Sequence, residues 1–125
     1  MGSPLRVLMS SDPLVTANTP AQTTQGTDAA VILAANPKRK GVVIQNTGTT
    51  IIRLALGSTL PTQTVYHVAL PGCTVADDAT GGIYSDDAWI GAISAVSSEA
   101  GGTLVIMELQ TGSPDWNQAL EWGVS

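Results

Sequence analysis

Phenylalanine is missing from this 125-residue chain, aromatic residues make up 4% of it, and charged residues only 12%, against roughly 25% in ordinary soluble domains. Without Phe the core must be aliphatic. Val, Ile, Leu, Ala, Thr and Gly supply most of the chain, a set that suits thin pleated layers better than helices. A surface so poor in charge is expected to be covered, and oligomerisation is the first expectation. The single cysteine, Cys73, excludes an internal disulfide. With one His beside it, a closed tetrahedral zinc site is excluded too. No apolar run is long enough to span a bilayer. No charged segment followed by a continuous apolar one is read as a signal peptide, and Arg6 stands where the myristoylation pattern wants Ser or Thr. The chain is therefore expected to be made in the cytoplasm and to stay soluble until it assembles.

The formal net charge of −5 argues against nonspecific nucleic-acid binding, which needs a basic face. Lys38, Arg39 and Lys40 form the only basic cluster. They read either as solvated, edge-protecting charge or as a contact to an acidic partner protein.

At this length one domain is expected, in three parts. Residues 1–28 read as an extended N-terminal arm. Leu5, Val7, Leu8 and Met9 are apolar, and the polar stretch Thr16 to Thr27 is interrupted by Pro20. The apolar patch suggests docking on a neighbour or a first edge strand. Residues 29–111 read as the β domain. Val42 to Gln45 and Ile51 to Leu56 flank Asn46-Thr47-Gly48, which predicts a strand, a tight turn and a return strand. Ile52, Leu54 and Leu56 are placed on one face, opposite Arg53. Val105, Met107 and Leu109 are placed together, opposite Glu108 and Gln110. Short strands spaced by Gly, Pro, Asn and Asp turns predict an all-β, antiparallel, jelly-roll-like sandwich. In residues 112–125, Ser113 as N-cap, Pro114 as first helical residue and Gly123 as stop predict a short helical tail. Trp116, Leu120 and Trp122 give that tail something to bury, on its own sandwich or on another chain.

Chemistry is harder to find. Asp77-Asp78 and Asp86-Asp87 bracket Thr80-Gly81-Gly82, and clustered carboxylates can hold calcium. The spacing does not match an EF-hand loop, and Asp-Gly loops turn well in any case. Glycosidase chemistry would need a sugar platform that nothing near these residues supplies. His67 and Cys73 invite a base-and-nucleophile reading, but plainer roles are a solvent-face histidine and a half-buried thiol. No phosphate-loop spacing is present. The chain is expected to be no enzyme and to use no cofactor or metal.

The segment Asn36-Pro37-Lys38-Arg39-Lys40-Gly41-Val42-Val43-Ile44-Gln45-Asn46-Thr47-Gly48 resembles the Asn-Pro-x-Arg-x-x-x-x-Ile-x-Asn stretch of small β-rich accessory virion proteins of tailed phages. Tyr66 to Leu70, Asp77 to Gly82 and Trp89 to Ser94 are similar to later parts of the same proteins, so the resemblance covers roughly residues 30 to 110. It implies a capsid decoration (cement) or head-fibre protein on the virion surface. Such a protein is often a homotrimer, binding the major capsid protein and reinforcing the shell, with neither nucleic acid nor membrane as partner. Leu5, Val7, Leu8, Lys38, Arg39, Lys40, Trp116, Leu120 and Trp122 are the expected partner contacts. The alternatives are a tail, baseplate or fibre module that joins components or contacts a host glycan, and a bacterial carbohydrate-binding or calcium-dependent adhesion module.

Overall fold

The computed structural model describes residues 15–111. They form nine strands: β1 (Val15–Ala17), β2 (Ala21–Gln25), β3 (Ala30–Leu33), β4 (Arg39–Asn46), β5 (Ile52–Leu56), β6 (Val68–Leu70), β7 (Ile83–Asp86), β8 (Ile93–Ser97) and β9 (Gly102–Thr111). No helix occurs among the described residues, and the expected C-terminal helix lies outside them.

All pairings are antiparallel. In the first sheet β1 and β2 both pair with β9, which is followed by β4 and β7; the second sheet runs β3-β8-β5-β6. From β2 to β9 every connection except β5–β6 passes from one sheet to the other. That is the winding of a jelly roll. Val42, Ile44, Leu104 and Ile106 of the first sheet meet Ile52, Leu54, Leu70, Ile93 and Ala95 of the second in one aliphatic core. Tyr84 and Trp89 pack against its margin, so the core closes without Phe.

Two expectations change. First, Asn46-Thr47-Gly48 does not close a hairpin: β4 belongs to the first sheet and β5 to the second. Asn46 is wholly buried. Its amide donates to the carbonyls of Thr50 at 2.8 Å and Leu70 at 3.1 Å, and its side-chain oxygen accepts the Gly48 N–H at 3.1 Å. These bonds replace a hairpin ladder and hold the chain as it steps between sheets. The corner passes so close to β9 that a Cβ on Gly48 would meet the Thr103 amide and hydroxyl at 3.0 Å.

Second, part of the stretch read as an arm lies in the sheet. Pairing with β9 begins at Val15, well ahead of residue 29. β9 is long enough, at 10 residues, to hold β1 at one end and β2 at the other. Between them Asn18 bridges to Glu108, donating its N–H to the carbonyl at 3.0 Å and accepting the Glu108 N–H on Oδ1 at 2.7 Å. Pro20 has no N–H to give, which accounts for the break.

The grouping of β9 into two faces holds, and the structure adds which face points inward. Leu104 and Ile106 face the core, so Val105, Met107 and Leu109 face outward and Glu108 faces in. The cause is Arg39.

Candidate functional site

Arg39 is 4% exposed, buried despite its charge. Its Nε donates to Glu108 Oε2 at 2.8 Å. Nη1 donates to the carbonyls of Trp89 at 3.2 Å and Gly91 at 2.7 Å, and Nη2 to that of Ala34 at 2.6 Å. Ala34 follows β3 and Gly91 precedes β8, so one guanidinium from the first sheet ties together two chain segments of the second. A planar fork of donors suits this task, and a lysine could not reproduce it. Asn36 prepares the position. Its Oδ1 accepts the Lys38 N–H at 3.0 Å, its carbonyl accepts the Arg39 N–H at 3.0 Å, and its amide donates to Gln110 Oε1 at 2.8 Å. The Asn-Pro-x-Arg element is thus a latch between sheets.

This corrects the reading of the basic cluster as three partner contacts. Lys38 and Lys40 are exposed, but the guanidinium of Arg39 is spent inside the fold. Leu5, Val7, Leu8, Trp116, Leu120 and Trp122 lie outside the described residues.

One member of each acidic pair, Asp78 and Asp86, holds a turn. Asp78 accepts the N–H and hydroxyl of Thr80 on Oδ1 and the Val75 N–H on Oδ2. The Thr80 hydroxyl bond, with these amides, holds its carboxyl below the ordinary value. The loop there winds through φ of 63° at Asp77 and 66° at Ala79, a left-handed conformation that the Asp78 bonds help to hold. Asp86 accepts the Ala88 N–H at 2.9 Å, the Tyr84 hydroxyl at 2.8 Å and the Trp89 N–H at 3.3 Å. The Ala88 amide is the main cause of its own lowered pKa. Tyr84, partly desolvated and bonded to Asp86, is pushed up to about 12. No group of three or more His, Cys, Asp or Glu able to hold a metal occurs among the described residues.

His67 and Cys73 have separate tasks. His67 Nδ1 accepts the Leu56 N–H at 2.9 Å, and the buried Cys73 thiol donates to the Asn46 carbonyl at 3.4 Å. One serves the β5 edge and the other the inter-sheet corner.

The second sheet has a built outer side. Ser94 and Val96 point away from the core yet are 0% and 2% exposed. Arg53 lies opposite Val96, donates to Gln63 Oε1 at 2.7 Å and stacks over Tyr66 at 5.2 Å. Gln63 in turn donates to the Ser97 carbonyl at 2.7 Å. The loop then presents Leu60, Val65 and Tyr66 to solvent at 46%, 67% and 43% exposure, with Val31 of β3 at 56%. Alternation over Thr64 to Leu70 reads as one strand, whereas β6 is only Val68–Leu70, so Val65 and Tyr66 fall in the loop. A signal existed in Leu60 and Val65, two large aliphatics in a Pro- and Thr-rich connection. No helix among the described residues is long and apolar enough to cross a membrane.

No protein-family model matches this chain, and no curated protein matches it. Among solved structures, a subunit of Bacillus endospore appendages, described as forming a novel family of disulfide-linked pili, is similar to it. The match covers 82% of this chain and 93% of that one, with a TM-score of 0.51 and 12% identity. At that identity the likeness is one of fold: both chains share a two-sheet β-sandwich.

Proposed function

We propose that this chain is a non-catalytic structural subunit acting by binding other proteins in a larger particle, and that the particle is a tailed-phage virion. In this reading it decorates the capsid and stabilises it by binding the major capsid protein, as a homotrimer, without cofactor, nucleic acid or membrane. The observation that carries it is the exposure of Leu60, Val65 and Tyr66 on one loop held by Arg53 and Gln63, in a chain with so few charges. Exposed apolar groups of this kind mark contact surfaces, and a loop fixed by Arg53 and Gln63 can present them without a large ordering cost. The resemblance of residues 36–48 to virion proteins supplies the particle.

The Bacillus fold likeness favours a second reading, a subunit of an extracellular fibre. Disulfide-linked polymerisation sets a requirement here: a subunit linked to two neighbours needs two thiols, and these residues contain one, buried at the corner. A fibre of this chain would be held by non-covalent contacts.

The test is co-sedimentation of purified protein with capsids lacking it, together with its Leu60→Asp/Val65→Asp variant. Saturable binding by the parent and none by the folded variant supports the capsid reading. No binding, with filaments visible by electron microscopy, favours the fibre.

A further inference from the structure

The two arginines of the sheets are satisfied to very different degrees. Arg39 gives its donors to a carboxylate and three carbonyls. Arg53, half-buried on β5, has one neutral acceptor in Gln63 Oε1 and stacks over the Tyr66 ring. Its Nε is buried with no acceptor, and no carboxylate meets its guanidinium among the described residues. Ser94 Oγ is the other buried side-chain atom without a hydrogen-bond partner among those residues. Ser94 lies on the neighbouring strand β8, opposite Ala55, and so on the same outer side of the second sheet. Buried polar groups are paired in the great majority of cases, and here two orphans share one side of one sheet.

Charge on this side is otherwise absent. β3, β5, β6, β8 and the loop 57–67 contain a single Asp, Glu, Lys or Arg between them, and it is Arg53. Holding the loop does not require a charge, since a neutral amide could bond Gln63, whereas a half-buried guanidinium costs desolvation.

We propose that Arg53 determines which partner this surface accepts, by receiving the carboxylate of a partner-protein Asp or Glu whose apolar neighbours pack on Leu60, Val65 and Tyr66. The proposal rests on the reading that loop 57–67 faces the partner, and it adds the partner's chemistry. Stacking on Tyr66 fixes the plane of the guanidinium, and the bond to Gln63 occupies Nη1, which leaves Nη2 for a planar acceptor. The exposed apolar side chains of the same loop exclude water around that contact. A purely apolar partner would bury the guanidinium without a counter-charge, and a basic one would be repelled. An acidic residue set among apolar ones meets both requirements.

The test is co-sedimentation with capsids lacking the protein, at several salt concentrations, for the parent, Arg53→Met and Gln63→Leu. The parent should bind, and more weakly as salt rises. Arg53→Met should bind about 30-fold more weakly or worse, with a flatter salt dependence. Gln63→Leu removes the bonds to Arg53 and to the Ser97 carbonyl, so it loosens the loop and keeps the charge; its salt dependence should match the parent's. Unmoved Ile52 and Leu54 methyl signals in NMR would show both variants folded. Arg53→Met that binds like the parent, or whose binding is as salt-dependent as the parent's, overturns this proposal and leaves the capsid reading standing. If Arg53→Met instead changes the sedimentation of the free protein with capsid binding unaltered, the carboxylate belongs to a second copy and the proposal fails. No binding by the parent overturns both.

Discussion

Truncating Arg39 to alanine should be among the most damaging single changes in this protein. The substitution removes four donated bonds: one to Glu108, and one each to the carbonyls of Trp89, Gly91 and Ala34. The Glu108 side chain is 14% exposed, so its carboxylate is left largely buried without a counter-charge. Breaking a buried ion pair from one side costs about 3–5 kcal/mol. Stranded carbonyls add to this at about 1–3 kcal/mol for each that water cannot reach. A loss of at least about 4 kcal/mol follows, a large part of the roughly 5–15 kcal/mol that holds a small domain folded. Urea unfolding followed by the Trp89 environment would show it: with m near ~1.5 kcal/mol/M, the midpoint should fall by about 2.5 M. Arg39→Lys should recover less than half of the loss, because one ammonium cannot reach three carbonyls and a carboxylate together. Arg39→Met/Glu108→Leu should be more stable than Arg39→Ala alone, as no orphaned carboxylate remains. An Arg39→Ala variant that loses under about 1 kcal/mol would refute the latch and return Arg39 to the surface.

Leu54→Ala, at the centre of the aliphatic core, should cost about 2–5 kcal/mol by denaturant unfolding. The carboxyls of Asp78 and Asp86 are held below the ordinary 3.8 in the folded chain. Their contribution is therefore present above 3.8 and lost as pH falls through the lower folded values. Melting temperature should drop in that acid range, and Asp78→Asn/Asp86→Asn should flatten the drop. Tyr84 titrates at about 12 rather than 10.0, so its contribution is present below 10.0 and lost as pH rises towards 12. Tyr84→Phe should remove that part of the alkaline destabilisation measured by circular dichroism. The Cys73 thiol is buried, and its reaction with an aromatic disulfide reagent should be slower than in denaturant by on the order of 100-fold, since labelling must wait for opening.

Strand content and the identity of much of the core could be read from the sequence because alternation is local. Ile52, Leu54 and Leu56 face the core opposite Arg53, and Ile44 and Leu54 are fully buried as their patterns predict. Two things could not be read this way. The sheet to which β5 belongs depends on where the Asn46 amide finds its acceptors, and one of them, Leu70, is 24 residues away. The orientation of β9 is fixed by an ion pair spanning 69 residues. Alternation alone favours Val105, Met107 and Leu109 inward, and a buried arginine overrides it. β2 was hidden for a related reason: Ala-Gln-Thr-Thr-Gln has almost no apolar pattern, and its place in the sheet comes from the backbone of β9.

The same latch bears on what the resemblance to virion proteins transmits. Asn36 sets the turn, Arg39 locks the sheets, Ile44 fills the core and Asn46 pins the corner. Four residues of Asn-Pro-x-Arg-x-x-x-x-Ile-x-Asn, namely Asn36, Arg39, Ile44 and Asn46, are thus used inside the sandwich. Residues used in this way specify the fold and leave binding to other residues. Location must be written in what the motif does not use. In the proposed reading that is the apolar loop held by Arg53 and Gln63. Exchanging residues 57–67 between two sandwiches that share the motif should therefore move binding with the loop. Exchanging residues 36–48 should change stability and leave binding where it was.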